Sequence, residues 1–407
     1  MRLPSTLSWI VLFLCLNLPS SNAFLKRFSR QKDKEQNEKA GPAFIEVVVH
    51  HNGDEENGKP FVLTKEDCNN ADALVSVVCP AFDESKSCSL HNRVGKKVSS
   101  CSDVASGDLV FIVPPHRIFI MPTFVIGHVA VLDHIEGADG TPVILETISK
   151  QPRVFRIRNF HSTQDSESLI NNALATEEEA RKLQRSRTGH AADSFRTSEN
   201  TWDNSTEAAM RLKRRGFGLL GLDAYNESWS DGLQLLRYNL TTAYSPHYDY
   251  MGAIDGDHDY NSAGEGSNRF ATILLYLSDV DDGGETVFPL AAQPGREKMS
   301  RSEADDLTTA YLEQRGVSEL FPLGSWQRSM VVDCRTQLAL KPKNAEAVLF
   351  YNQGSDGQID MYSKHGGCPV IEGSKWAANL WVWNNSNPHP NPNPPEPSSL
   401  TLTLPQP

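Results

Sequence analysis

The chain has 407 residues, of which 39% are hydrophobic and 22% charged, and its formal net charge at pH 7 is −12. This composition suits a folded protein of about two domains and excludes disorder throughout the chain. The acidic balance argues against nucleic acid as a partner, because a negatively charged surface repels the phosphate backbone.

The first 23 residues have the pattern of a secretory signal peptide. Arg2 precedes the apolar run 7–18, and the small residue Ala23 ends the segment. The run is shorter than the roughly 20 apolar residues that span a bilayer, so we expect cleavage and no stable membrane insertion afterwards. An uncleaved anchor is the alternative.

The signal peptide predicts entry into the secretory pathway, with the lumen of the endoplasmic reticulum as the first expectation. The Golgi and secretion are alternatives. Residues 24–42 form a charged linker. Phe24 followed by basic residues is also similar to the two-part presequences of algae with complex plastids, which adds a complex plastid as a further alternative.

Six cysteines remain after the signal peptide, and an even number in a secreted chain predicts disulfide bonds. They form two groups, Cys68, Cys79, Cys88 and Cys101 near the amino end and Cys334 and Cys368 far downstream. We expect pairing within each group. The first group allows three connectivities, and the sequence does not choose between them.

Four Asn-x-Ser/Thr sequons agree with secretion and predict a glycoprotein. They begin at Asn204, Asn226, Asn239 and Asn384. Asn239 is the least suited to carry a glycan, because it lies inside an apparent strand.

Residues 43–150 are predicted to form a small β-rich module supported by disulfides. Its β-like runs are 44–49, 108–115 and 143–148, and the stretch between the first two carries four cysteines. No catalytic pattern is visible in this module. The pair His50 and His51 has no further ligands nearby in sequence and is interpreted as exposed surface.

From residue 151 the pattern changes to two helices followed by many strands. A strand is expected over 153–160 and helices over 164–186 and 205–215, the second ending near Gly216 and Gly218. The later strands are predicted at 233–240, 270–277, 285–290, 345–352 and 376–383. Helices and strands that do not alternate predict an α+β fold around a β-sandwich or barrel.

Three segments interrupt or end this pattern. Residues 251–268 are rich in Gly and Asp, and residues 291–332 are polar and partly helix-like. Connections this long are usually functional or disordered. Residues 386–407 are rich in proline and predict an extended tail.

The triplet His247-Tyr248-Asp249 follows a predicted strand, where positions i and i+2 point to the same face. An imidazole and a carboxylate there can bind one metal ion, and the distant His365 could add a third ligand. Two histidines and one carboxylate suit non-haem Fe(II), because they leave positions open for a cosubstrate and O2. The other such triplet, which begins at His134, has no obvious partners and is interpreted as a surface turn.

Four sequence blocks carry a family resemblance. They are LLRYNLTTAYSPHYDY (235–250), RFATILLYLSDVDDGGETVFP (269–289), LKPKNAEAVLFYN (340–352) and HGGCPVIEGSKWAANLWVW (365–383). Their content and order resemble the catalytic domain of prolyl 4-hydroxylases, which are 2-oxoglutarate- and Fe(II)-dependent dioxygenases. The resemblance implies such a domain over 151–385, with a double-stranded β-helix (jelly-roll) core flanked by helices.

The resemblance assigns roles to individual residues. It makes His247, Asp249 and His365 the iron ligands, and it makes Lys375 the cation that pairs with the distal carboxylate of 2-oxoglutarate. The remaining assignments are Tyr238 and Thr286 in the cosubstrate pocket and Tyr244, Arg269 and Trp381 in the peptide groove.

Further features follow from the same resemblance. The loop 251–268 takes the place of a mobile loop that covers the substrate. Cys334 and Cys368 lie where many plant-like members have cysteines. The family usually has a histidine that tends to face the substrate at the position of Trp383, so this departure puts the preferred peptide in doubt.

The implied reaction converts peptidyl-proline, 2-oxoglutarate and O2 to 4-hydroxyproline, succinate and CO2, with ascorbate restoring oxidised iron. Proline-rich peptides or proteins are the implied partners. Two alternatives stay open. One is the same chemistry on another side chain such as lysine, and the other is a non-catalytic binder of proline-rich peptides.

Overall fold

A computed structural model describes residues 44–68, 70–84, 87–175, 182–186, 195–251, 265–295 and 299–387. The signal peptide, the charged linker, most of the loop 251–268 and nearly all of the proline-rich tail lie outside the described residues. The described residues from Glu46 onward belong to one compact unit. Among the described residues, no helix is long and apolar enough to cross a membrane.

Nineteen strands and five α-helices occur in the described part of the chain. The strands are β1 (Phe44–His51), β2 (Lys59–Thr64), β3 (Ser89–Asn92), β4 (Leu109–Val113), β5 (Val129–Glu136), β6 (Pro142–Ser149), β7 (Val154–Arg158), β8 (Gln184–Arg185), β9 (Glu199–Asp203), β10 (Leu233–Tyr238), β11 (Tyr244–His247), β12 (Arg269–Tyr276), β13 (Asp282–Gly283), β14 (Thr286–Ala292), β15 (Gln337–Leu340), β16 (Glu346–Tyr351), β17 (His365–Gly367), β18 (Val370–Glu372) and β19 (Lys375–Trp383). The helices are α1 (Ala71–Ala81), α2 (Thr163–Ala175), α3 (Glu207–Leu219), α4 (Arg301–Gln314) and α5 (Trp326–Thr336).

The amino-terminal part contains a four-stranded sheet in the order β2-β1-β4-β3. The β-rich prediction missed the helix α1, which begins at Ala71. Asn70 caps it, because its side chain accepts a hydrogen bond from the backbone N–H of Ala73. Cysteine pairing is within the group, as predicted. The connectivity that the sequence left open is Cys68–Cys101 and Cys79–Cys88, which joins the helix and its start to the segments around β3.

The main sheet has nine strands in the order β5-β6-β7-β16-β12-β19-β10-β9-β8. It pairs β6, which belongs to the predicted amino-terminal module, directly with β7 of the predicted catalytic domain. The sheet therefore runs across the boundary predicted at residue 150. The division into two domains stays a prediction.

A smaller sheet, in the order β11-β17-β14-β15, packs against one face of the main sheet. Leu274 and Phe350 of the main sheet share a core cluster with Phe288 and Leu338 of the smaller sheet. The opposite face of the main sheet is covered by α2 and α3, in a second core cluster. Two β-sheets with helices outside one of them confirm the predicted α+β fold with a jelly-roll core.

Both predicted helices end at other residues than expected. The predicted helix 164–186 ends as α2 at Ala175, and Gln184–Arg185 forms a short strand against β9. The helix α3 does not stop at Gly216 or Gly218 but continues to Leu219. Gly216 lies in the helix because of close packing: a Cβ there would be 2.5 Å from Cδ2 of Leu380 in β19.

The two glycines of α3 should respond in opposite ways to alanine. Gly216→Ala should destabilise the protein by about 1–2 kcal/mol, because crowding against the fully buried Leu380 exceeds the gain in helix propensity. Gly218→Ala should stabilise it by about 0.5 kcal/mol, since nothing lies within 4 Å of its added Cβ. Urea unfolding measures both, and equal effects of the two substitutions would contradict the packing argument.

The long connection 291–332 is largely helical. Ser300 and Glu303 form a capping box at the start of α4, and Ser325 caps α5. The helix α5 carries Cys334, which forms the predicted disulfide with Cys368, one residue after β17. The bond ties this insertion to the strand on which His365 lies.

Several smaller interpretations change in the structure. His50 is not exposed but buried, and its ring stacks on Phe111. His134 lies in β5 rather than in a turn. Asn239 follows the end of β10 and is exposed, whereas Asn384 is buried, and its amide nitrogen donates to Oε1 of Gln353. Asn384 is therefore the sequon least suited to carry a glycan.

Candidate active site

The pairing of β11 with β17 brings together two residues that are 118 positions apart in the chain. His247 and His365 lie directly opposite each other in this antiparallel pair. Nε2 of His247 is 3.6 Å from Oδ1 of Asp249, and Nε2 of His365 is 3.5 Å from Oδ2. One ligand atom from each of the three side chains lies within 4.8 Å of the other two. In the described part of the chain, no other group of three histidine, cysteine or acidic residues is as close together.

Backbone hydrogen bonds orient both imidazoles in the same way. Nδ1 of His247 lies 2.9 Å from the carbonyl oxygen of Ser245, and Nδ1 of His365 lies 2.9 Å from that of Ser363. A carbonyl can only accept, so each Nδ1 must carry the proton. Each Nε2 therefore presents its lone pair to the common point, as a metal ligand requires.

The electrostatics keep Asp249 and His365 in the protonation states that bind a metal. Burial raises the pKa of Asp249, but the imidazoles of His365 and His247 outweigh it and hold the pKa well below its usual range. Burial lowers the pKa of His365 to about 4, although the Asp249 charge opposes this shift. At neutral pH the carboxylate is ionised and the His365 imidazole is neutral.

A pocket lies beside the three ligands, between the two sheets. Its polar lining consists of Tyr238, Tyr244, His247, Thr286, His365, Lys375 and Asn379. Two of these residues, Lys375 and Asn379, lie on β19, where successive side chains point to opposite faces of the sheet. The even-numbered residues Trp376, Ala378 and Leu380 face the helices. Lys375 and Asn379 therefore face the smaller sheet and line the pocket.

Lys375 is a buried cation without an ion-pair partner among the described residues. Its side chain is 2% exposed, and among the described residues no carboxylate oxygen lies within 4.0 Å of its Nζ. The nearest groups recorded for Nζ are the rings of Tyr238 and Tyr276, at 5.2 and 5.5 Å. A buried ammonium without a partner is costly, so this pocket suits a ligand that carries a carboxylate.

Comparison with known proteins agrees with this site. Residues 233–383 match the family model of the 2OG-Fe(II) oxygenase superfamily. Two proteins of Arabidopsis thaliana, probable prolyl 4-hydroxylase 8 and prolyl 4-hydroxylase 5, are each 33% identical over 240 residues, which cover 58% of this chain and 70% of the relative. The chain belongs to the 2OG-Fe(II) oxygenase superfamily. It is a prolyl 4-hydroxylase-like dioxygenase.

Among solved structures, a viral collagen prolyl hydroxylase from Paramecium Bursaria Chlorella virus-1, in its 2OG complex, is similar to this chain. The sequence identity is 21% and the TM-score 0.36, over 56% of this chain and 95% of the viral protein.

The residues of the dioxygenase fit the iron and the cosubstrate that its family implies. The donor set of two imidazoles and one carboxylate suits Fe(II), and the buried Lys375 suits the distal carboxylate of 2-oxoglutarate. Tyr238 lies directly opposite Lys375 in the pair of β10 and β19, so both point into the pocket. Thr286 is buried and accepts a hydrogen bond from the hydroxyl of Tyr276 at 2.9 Å.

The lowered pKa of Lys375 predicts how cosubstrate binding by the dioxygenase depends on pH. Burial lowers this pKa from 10.5 to about 8, although Glu285 opposes the shift. Above about pH 8 the free enzyme loses the ammonium, so the KM for 2-oxoglutarate should rise there by up to about tenfold per pH unit and stay flat below it. Steady-state turnover at saturating iron measures this. Lys375→Arg, which stays protonated, should not show the rise, and an equal rise in that variant would contradict the assignment.

The structure places the three predicted groove residues around the metal ligands. The ring of Tyr244 stacks on His247, with 3.7 Å between the centroids. Trp381 is 5% exposed, and its Nε1 donates to Oδ2 of Asp249 at 2.8 Å. Arg269 lies with Cζ 3.8 Å from the centroid of the Trp381 ring and is paired with Asp231. Their role in binding a peptide stays a prediction.

Trp383, which stands where the family usually has a histidine that tends to face the substrate, is buried in the structure. Its side chain is 1% exposed, and its Nε1 donates to Oδ2 of Asp231 at 3.1 Å. Trp383 therefore donates to the same carboxylate oxygen that binds Arg269.

Sequence analysis missed five polar residues of this site, one of which is the pocket residue Asn379. Thr272 donates to Asp249, Asn352 donates to Thr272, and Asp231 binds Arg269. The buried Arg196 lies over the ring of Tyr244, with Cζ 4.5 Å from the centroid. Thr272 and Asn352 are polar residues in otherwise apolar strand segments, and this was the one signal that could have indicated them.

Proposed function

We propose that this dioxygenase hydroxylates peptidyl proline at C4, with release of succinate and CO2. The observation that carries the proposal is the similarity to prolyl 4-hydroxylases of Arabidopsis thaliana, at 33% identity over 240 residues. Proline-rich peptides or proteins are the proposed substrates. O2 is the proposed second substrate, and ascorbate is the proposed reductant for oxidised iron.

The residues of the chain have separate tasks in this proposal. Bound iron with 2-oxoglutarate supplies the oxidant for an unactivated C–H bond. His247, Asp249 and His365 would hold the iron, and Lys375 would orient the cosubstrate through its far carboxylate. Phe350, whose ring lies 4.5 Å from that of His365, covers the site on the side of the main sheet and excludes water.

Another target such as lysine is the main alternative, and the departure at Trp383 is the sequence feature that favours it. This feature gives lysine little support, because the Trp383 side chain is buried and bound to Asp231. A non-catalytic binder is disfavoured as well, since the three ligand side chains converge on one point. Proline is therefore the proposed target.

The experiment that tests the proposal is turnover of 2-oxoglutarate against a panel of proline-rich peptides, with mass spectrometry of the products. Hydroxylation of proline should add one oxygen atom to that residue in the fragment spectrum. A gain on lysine would replace the proposed target, and no cosubstrate consumption with any proline-rich peptide would remove prolyl hydroxylation.

The secretory location is also a proposal. It is supported by the signal-peptide pattern and by the three disulfides, which persist in oxidising compartments. The lumen of the endoplasmic reticulum is the proposed site of action.

A further inference from the structure

The carboxylate of Asp249 uses its two oxygens differently. Oδ2 accepts two hydrogen bonds, from Oγ1 of Thr272 at 2.7 Å and from Nε1 of Trp381 at 2.8 Å. These two donors fill the two lone-pair sites of that oxygen. Nε2 of His365 also lies 3.5 Å from Oδ2, and Nε2 of His247 lies 3.6 Å from Oδ1. Since Oδ1 receives neither of the Thr272 and Trp381 hydrogen bonds, it is the oxygen left for a metal.

Both donors are themselves held by a further contact. Oγ1 of Thr272 accepts from Nδ2 of Asn352 at 3.0 Å, so its own proton is directed to Asp249. The ring of Trp381 is covered by the guanidinium of Arg269, at 3.8 Å from Cζ to the centroid. Thr272 and Trp381 are 1% and 5% exposed, so water does not compete for these bonds.

A second carboxylate fixes the guanidinium on the Trp381 ring. Oδ2 of Asp231 accepts from Nε of Arg269 at 2.9 Å and from Nε1 of Trp383 at 3.1 Å. Its Oδ1 accepts from Nδ2 of Asn387 at 3.1 Å. The Arg269 charge is thus neutralised inside the protein and is not available as a free cation.

We propose that Trp381 and Thr272 are positioning residues for the metal ligand Asp249, and that Trp383 supports Trp381 through Asp231 and Arg269. The two donors hold the carboxylate beside the two imidazoles, with Oδ1 on the side of His247, before a metal arrives. Preorganisation of this kind raises metal affinity, and loss of such outer contacts typically lowers it 10- to 100-fold. The inference concerns the metal site alone and would stand if the substrate were not proline.

Metal binding without any substrate tests the proposal. Anaerobic calorimetric titration with Co(II) should give affinities about 10- to 100-fold weaker for Trp381→Phe and for Thr272→Val than for the unchanged chain. Trp383→Phe should give a smaller loss than Trp381→Phe. The control Trp229→Phe changes a tryptophan that packs against the helix-side core and should bind Co(II) like the unchanged chain.

Thermal unfolding of the metal-free proteins shows whether each variant is folded. If Trp381→Phe does not fold, Thr272→Val decides: weaker Co(II) binding supports the proposal, and unchanged binding overturns it. If Trp381→Phe raises only the KM for peptide and leaves Co(II) affinity unchanged, Trp381 is a groove residue and the proposal is wrong. Unchanged Co(II) binding by Trp383→Phe would overturn the role of Trp383.

Discussion

Replacing Asp249 with asparagine should reduce turnover of 2-oxoglutarate by more than about 100-fold, beyond the range that loss of an outer contact produces. Asparagine keeps the shape of the side chain and its contacts, but it is neutral and a poor ligand for Fe(II). The carboxylate is the only charged member of the group formed with His247 and His365 in the described residues. Cosubstrate consumption and Co(II) titration on the same protein sample measure the effect.

The matched control for this variant is Asp165→Asn. Asp165 is also buried, but it lies in the first turn of α2, outside the site. It binds Ser162, which precedes that helix, and Arg211 of α3. This change should lower the free energy of unfolding and leave the turnover of folded protein within a fewfold of the unchanged chain. Retained turnover in Asp249→Asn would remove the metal site as the centre of the chemistry.

Replacing Lys375 with methionine should separate binding from stability. The KM for 2-oxoglutarate should rise by about 100-fold or more, because the distal carboxylate of the cosubstrate then has no cation. The same change should stabilise the ligand-free protein at pH 7 by about 1–3 kcal/mol, because a buried ammonium without a carboxylate partner is removed. Steady-state kinetics and urea unfolding measure the two effects.

The pH dependence of this stability difference has a definite sign. The pKa of Lys375 is lowered from 10.5 to about 8 in the folded protein, so the cost of burying the cation is fully present below about pH 8. That cost disappears as the pH rises from about 8 to 10.5. The stability difference between Lys375→Met and the unchanged chain should therefore shrink over this range.

Lys213→Met is the control for Lys375→Met. Lys213 is also fully buried, but its Nζ is 3.1 Å from Oε1 of Glu227, so it has the partner that Lys375 lacks. This change should destabilise the protein and leave the KM for 2-oxoglutarate unchanged. If the two methionine variants changed stability in the same direction, the absence of an anion near Lys375 would not explain its behaviour.

Sequence determined the family, the metal-binding residue types and nine of the nineteen strands of the described residues, because these depend on local patterns. His247 and Asp249 share a face through the period-two alternation of extended chain, and the strand at 375–383 is evident from its apolar run. The same alternation shows that residues 375, 381 and 383 share one face of that strand. Helix ends were predicted less well, because Gly216 is retained for contact with Leu380, which is 164 positions away.

Only the tertiary structure decided what surrounds those residues. The register of β11 with β17 places His365 opposite His247, and the packing of the two sheets buries Lys375 with no carboxylate of the described residues within ion-pair distance. It also turned Nε1 of Trp381 towards Asp249 and bound Trp383 to Asp231, two contacts that the sequence did not indicate. Such contacts join residues that are far apart in the chain, and local pattern carries no information about which distant group completes a hydrogen bond.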